Sequence, residues 1–122
     1  MAMTFDHVSL VFATNEQVAE VAAFFGEVLG LSVGDGAESG YAEVTTGGPT
    51  ISLHRGALAD VGTHGGTLLQ FRSQDVRAEA KAVTARGGRL ALEPTETDWG
   101  TVSAYVAGPH GVTVELYQFT DG

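Results

Sequence analysis

Two alternating apolar–polar runs hold the first side chains to question. HVSLVF, residues 7–12, opens on His7, and VTVELYQF, residues 112–119, carries Glu115 between Val114 and Leu116. A carboxylate in mid-strand faces either water or a pocket where a charge is wanted. Side chains two apart on a strand share a face, so Tyr117 accompanies Glu115. In TISLHRG, His54 accompanies Ser52, and in GTLLQFR, Gln70 accompanies Leu68. Imidazole and carboxylate serve as metal ligands or as general bases, and an amide is a weaker oxygen ligand. Tyr41, Trp99, Tyr105 and Tyr117 add rings that can stack on a planar ligand or a cation. Each has a plainer role too. His7 can be a hydrogen-bonded core histidine, Glu115 can pair with Arg55 or Arg72, and the rings can be core. Phe12, Phe24, Phe25 and Phe71 are read as core.

The elements that must position these residues follow from periodicity. HVSLVF reads as a strand. In TNEQVAEVAAFFGEVLG, Thr14 and Gln17 have capping-box spacing. Val18, Val21, Ala22, Phe25, Val28 and Leu29 recur at helical intervals, and Gly30 stops the helix. LSVGD, YAEVTTGG and TISLHRG are three short strands with Gly-rich turns. The pattern then repeats. GTLLQFR (66–72) is a strand, and SQDVRAEAKAVTARGG is a helix with Val76, Ala80 and Val83 on one face. RLALEP, TVSAYVA and TVELYQF are strands. The expected fold is α+β, one domain over 1–122 made of two tandem βαβββ modules, about 4–55 and 66–119, joined by 56–65. Their half-sheets are expected to curve into a mixed sheet enclosing a cleft.

Several function classes drop out. With 15 acidic against 6 basic residues the net charge is −9, which repels nucleic acid and anionic membranes. The same charge favours a cationic small molecule, although it also serves solubility. The absence of cysteine excludes disulfides, thiolate metal sites and a Cys nucleophile. GDGAESG and GTHGG do not lie between a strand and a helix, as a phosphate loop must. No apolar run is long enough for a membrane span and no signal segment opens the chain, so a cytoplasmic protein is expected. His64 and His110 fall in Gly-rich turns and are expected at the surface.

The sequence resembles the vicinal oxygen chelate superfamily over about residues 4 to 119. The resemblance rests on Asp6-His7, on the Phe24-Phe25…Leu29-Gly30-Leu31 helix end, on Trp99-Gly100 and on the Gly108-Pro109-x-Gly111 turn. That group includes glyoxalase I, extradiol dioxygenases, fosfomycin-resistance transferases and metal-free bleomycin-resistance proteins. The resemblance places His7 and Glu115 at two of four metal-ligand positions, suited to Zn, Ni, Mn or Fe. It places Ser52 where glyoxalase I has a glutamate and Leu68 where a histidine is expected. Leucine cannot bind a metal, so the standard set is incomplete, and loss of the glutamate argues against glyoxalase I chemistry. His54 and Gln70 can complete a non-standard site by a register shift. The resemblance therefore implies first a metal-independent protein that sequesters a partly aromatic or cationic compound. In that reading Trp99, Tyr105, Tyr117, Tyr41, Ser52, His54 and Gln70 are the binding residues. The alternative is a divalent-metal lyase, isomerase, transferase or dioxygenase using His7 and Glu115, and a third reading makes one of those two a general base without metal. A homodimer is also implied.

Overall fold

A computed structural model describes residues 7–58 and 66–120. These residues form two compact units, one within 1–63 and one within 64–122. Asp6, His64 and most of the expected linker lie outside the described residues.

In the first unit β1 (His7–Phe12) leads into α1 (Asn15–Ala23), then β2 (Ser32–Val33), β3 (Tyr41–Thr45) and β4 (Thr50–Arg55). The sheet order is β1-β4-β3-β2, with β1 and β4 parallel and the other pairs antiparallel. Helix α1 starts where the capping signal places it. Thr14 Oγ1 accepts the Gln17 amide at 3.1 Å, and Gln17 Oε1 accepts the Ala13 amide at 2.9 Å. The sequence predicts one helix through Val28 and Leu29. Instead the chain widens into a π-helical turn over Phe24–Val28, with the Leu29 amide bonded to Phe24 O at 3.1 Å. A π turn sets consecutive residues at a smaller angle than an α turn, so neighbouring side chains can enter the same core. Phe24 and Phe25 are both buried, packed edge to face at 5.5 Å.

Register then separates two faces. Leu10, Phe12, Ala42, Val44, Ile51 and Leu53 are buried on one face, together with Val18, Val21 and Ala22 of α1. Each large apolar side chain so buried contributes about 1.5–3 kcal/mol. The other face carries His7, Ser9, Val11, Tyr41, Glu43, Ser52 and His54.

The second unit repeats the plan. It comprises β5 (Leu69–Arg72), α2 (Val76–Ala85), β6 (Arg89–Glu96), β7 (Thr101–Ala107) and β8 (Thr113–Phe119), in the order β5-β8-β7-β6. Asp75 caps α2 by accepting the Ala78 amide at 3.1 Å. Val76, Ala80 and Val83 are buried with Val102, Ala104, Val106, Val114 and Leu116. The opposite face presents Gln70, Arg72, Ser103, Tyr105, Glu115 and Tyr117. Two βαβββ units with mixed four-stranded sheets are thus the observed architecture. Among the described residues, no helix is long and apolar enough to cross a membrane.

Candidate functional site

The chemistry-bearing residues sit on the sheet faces opposite the helices, in equivalent rows. In the first unit the central row runs Ser9, Ser52, Glu43 across β1, β4 and β3. In the second it runs Gln70, Glu115, Tyr105 across β5, β8 and β7. Each row has one carboxylate, on the third strand in one unit and on the middle strand in the other.

Glu115 is buried at 7% exposure, and the Gln70 amide nitrogen donates to its Oε1 at 2.8 Å. The register also places Tyr105 opposite Glu115. Glu115 does not face water, and one of its oxygens is satisfied by an amide. A buried carboxylate with a single neutral donor keeps acceptor capacity for another partner.

In the first unit the Tyr41 hydroxyl donates to Glu43 Oε2 at 2.6 Å. That bond to an anionic acceptor raises the pKa of the Tyr41 phenol above its ordinary value of 10.0. The Ser52 hydroxyl has a smaller, opposing influence on the same phenol. Yet Ser52 is fully buried, and its Oγ makes no hydrogen bond of normal geometry. His54 meets the Tyr41 ring edge-on at 4.8 Å. Tyr41, Glu43, Ser52 and His54 therefore form one cluster of phenol, carboxylate, hydroxyl and imidazole. Glu43 was missed in the sequence reading, although its position two residues from Tyr41 in YAEVT was the available signal.

The remaining candidates are more dispersed. His7 is exposed at the start of β1, two residues before Ser9. Trp99 is 74% exposed in the turn before β7, where Gly100 takes φ 93°. Tyr117 lies beside Arg72 and Ser103 in the register and packs edge-on against Phe119 at 5.9 Å. Leu68 precedes β5 and is partly exposed. His110 is exposed, in the turn expected, with φ 55°. Phe12, Phe24 and Phe25 are core, whereas Phe71 is half-buried.

The profile of the Glyoxalase/Bleomycin resistance protein/Dioxygenase superfamily matches residues 4–116. The chain belongs to this superfamily. A solved "conserved domain protein" is similar at 26% identity and a TM-score of 0.81, over 96% of this chain and 99% of that one. A glyoxalase/bleomycin resistance protein/dioxygenase from Nocardioides is similar at 20% identity and a TM-score of 0.77, over 100% and 87%. TioX from Micromonospora sp. ML1 is similar at 18% identity and a TM-score of 0.73, over 96% and 99%. The latter two likenesses concern the fold. No curated protein matches the sequence. The superfamily hosts several chemistries on one scaffold, so activity has to be argued from the side chains.

Against the divalent metal that the superfamily implies, the donor set fits poorly. Among the described residues, no three histidine, aspartate or glutamate side chains are grouped as a metal ion requires. In the second unit Gln70 turns its amide nitrogen, a donor without ligating capacity, toward Glu115. In the first unit the residue equivalent to Glu115 is Ser52, a neutral hydroxyl.

Proposed function

We propose that the protein is a cytoplasmic, metal-independent binder of a small aromatic cation, and that it acts by affinity without turnover. The observation that carries this reading is the Tyr41–Glu43–Ser52–His54 cluster. Glu43 supplies negative charge, and Tyr41 and His54 supply ring faces and edges. The buried Ser52 hydroxyl is a polar group left without a bond. A cation over an aromatic ring gains about 0.5–2 kcal/mol, and a carboxylate partner adds to that. The second unit's face offers a similar mixture in Glu115, Gln70, Tyr105 and Tyr117, with exposed Trp99 at its margin.

The test is calorimetric titration with planar aromatic cations such as proflavine, alongside neutral and anionic analogues of similar shape. Binding of the cations, weakened about tenfold or more in Glu43→Gln, is the expected result. Equal affinity for neutral and cationic analogues would remove Glu43 from the site. The competing reading is a divalent-metal enzyme using His7 and Glu115, and the burial of Glu115 is the feature that favours it.

Homodimerisation is part of the proposal, because members of this superfamily commonly dimerise. Light scattering on a sizing column should give twice the 12.6 kDa chain mass. A monomer at high concentration would contradict it.

A further inference from the structure

A second polar site lies at the end of the second unit's polar face, beyond the Gln70–Glu115–Tyr105 row. A pocket of about 500 Å³ is lined by Arg72, Ser73, Gln74, Gln118 and Phe119. Its hydrogen-bonding character follows from what Gln118 and Ser73 have already committed. Gln118 Oε1 accepts the Val76 amide at 2.5 Å. A backbone N–H cannot donate to an NH2 group, so the carbonyl end of Gln118 is fixed there and its NH2 is left over. Ser73 Oγ accepts the Asp75 amide at 3.1 Å, which leaves its hydroxyl proton to donate. The Ser73 amide is spent on Tyr117 O at 2.8 Å.

Arg72 completes the set. Its guanidinium lies 4.9 Å from the centroid of the Phe119 ring, which is 52% exposed. Elsewhere in this unit Arg77 faces Glu96 at 3.8 Å and Arg86 faces Glu79 at 3.7 Å. Arg72 is instead held by a ring. Stacking on an aromatic orients the planar fork without using its in-plane donors. Asp75 is the nearest carboxylate in sequence, and its Oδ1 is turned to the Ala78 amide in capping α2. Glu115, two positions along β8 from Tyr117, is bonded to Gln70.

We infer that this pocket is an oxyanion subsite, taking a carboxylate or phosphate group through Arg72, Ser73 and Gln118. The inference does not depend on the cation site of the first unit. A pocket whose fixed groups offer donors and a cation selects an anion, and the planar guanidinium matches the two oxygens of a carboxylate or phosphate. The net charge of −9 opposes any anion at long range, so affinity has to come from these local groups and has to fall with salt.

The experiment is an NMR titration of the intact chain with inorganic phosphate and, separately, acetate. It follows the Arg72 Nε–H and the Gln118 side-chain amide at constant ionic strength. Two variants are compared by the same titration. Arg72→Met keeps the apolar stem over Phe119. Gln118→Glu keeps an acceptor for the Val76 amide but replaces the donor with a charge, so it removes anion affinity without removing the α2 contact. The expected result is saturable shifts at both reporters, with affinity lowered at least tenfold in each variant while thermal melting stays cooperative. Tighter phosphate than acetate binding would indicate a phosphoryl group as the physiological anion, and the reverse a carboxylate. Shifts that rise linearly without saturation, or saturable shifts unchanged in both variants, would overturn the assignment.

Discussion

The Tyr41–Glu43 bond is an exposed interaction on the first unit's polar face, and it is open to direct titration. Its donor is a phenol whose acidity is weakened by Glu43. Because the folded-state value is raised, the bond's contribution is present below the ordinary phenol value of 10.0 and is lost as pH rises through the raised one. Glu43→Gln removes the anionic acceptor, so tyrosinate absorbance for Tyr41 should develop at lower pH in the variant. An unchanged titration would show that Glu43 does not hold the phenol. In the second unit, Gln70→Leu keeps volume but strips Glu115 of its donor. A buried acceptor so orphaned costs about 1–3 kcal/mol, which urea unfolding at pH 7 would register. The sequence groups Gln70 with Leu68 and Glu115 with Tyr117 by period two, and it brings Gln70 near Glu115 only through the family resemblance with a shifted register. It could not show that they bond to each other, because the parallel pairing of β5 with β8 sets that register across 45 residues of chain.

At the scale of elements, the helices begin at side-chain caps and their ends are set by packing. Asp75→Ala removes the acceptor for the Ala78 amide and should cost about 1 kcal/mol in thermal or urea melts. The α1 cap at Thr14 was readable from its Gln17 partner. The π-helical turn over Phe24–Val28 was not, because helical spacing alone does not distinguish α from π windings. What selects the wider turn is the joint burial of Phe24 and Phe25, a tertiary demand. Phe25→Ala should therefore cost about 3–5 kcal/mol. Glycines act at this scale too. At Gly40, φ is 97°, and an added Cβ would lie 2.7 Å from Asn15 Oδ1 and 3.1 Å from Arg55 Cβ. Gly100 takes φ 93° with open space around it. Both alanine substitutions incur backbone strain of about 1–2 kcal/mol, and Gly40→Ala should be clearly the worse of the two, since it adds a clash. Equal melting temperatures for the two variants would contradict that reading.

At the scale of the whole molecule, duplication is what the sequence displayed most openly. Strand, helix and three strands recur, and the structure has the same order in both units with matching sheet topology. The strand ends were less legible: β2 is only Ser32–Val33, while β6 continues to Glu96 beyond Pro94. The duplicated rows have diverged in chemistry, with Ser52 standing where the other unit has Glu115 and Glu43 where it has Tyr105. That divergence accords with reading the protein as a binder, which rests on the Tyr41–Glu43–Ser52–His54 cluster. The most direct test removes metal and asks whether binding survives. Protein stripped with a strong chelator is titrated with proflavine, then again after addition of Zn, Ni, Mn or Fe(II), with bound metal counted by plasma mass spectrometry. The expected result is the same affinity in every sample and no stoichiometric metal. About one ion per chain, lost in both His7→Ala and Glu115→Ala and required for binding, would contradict it.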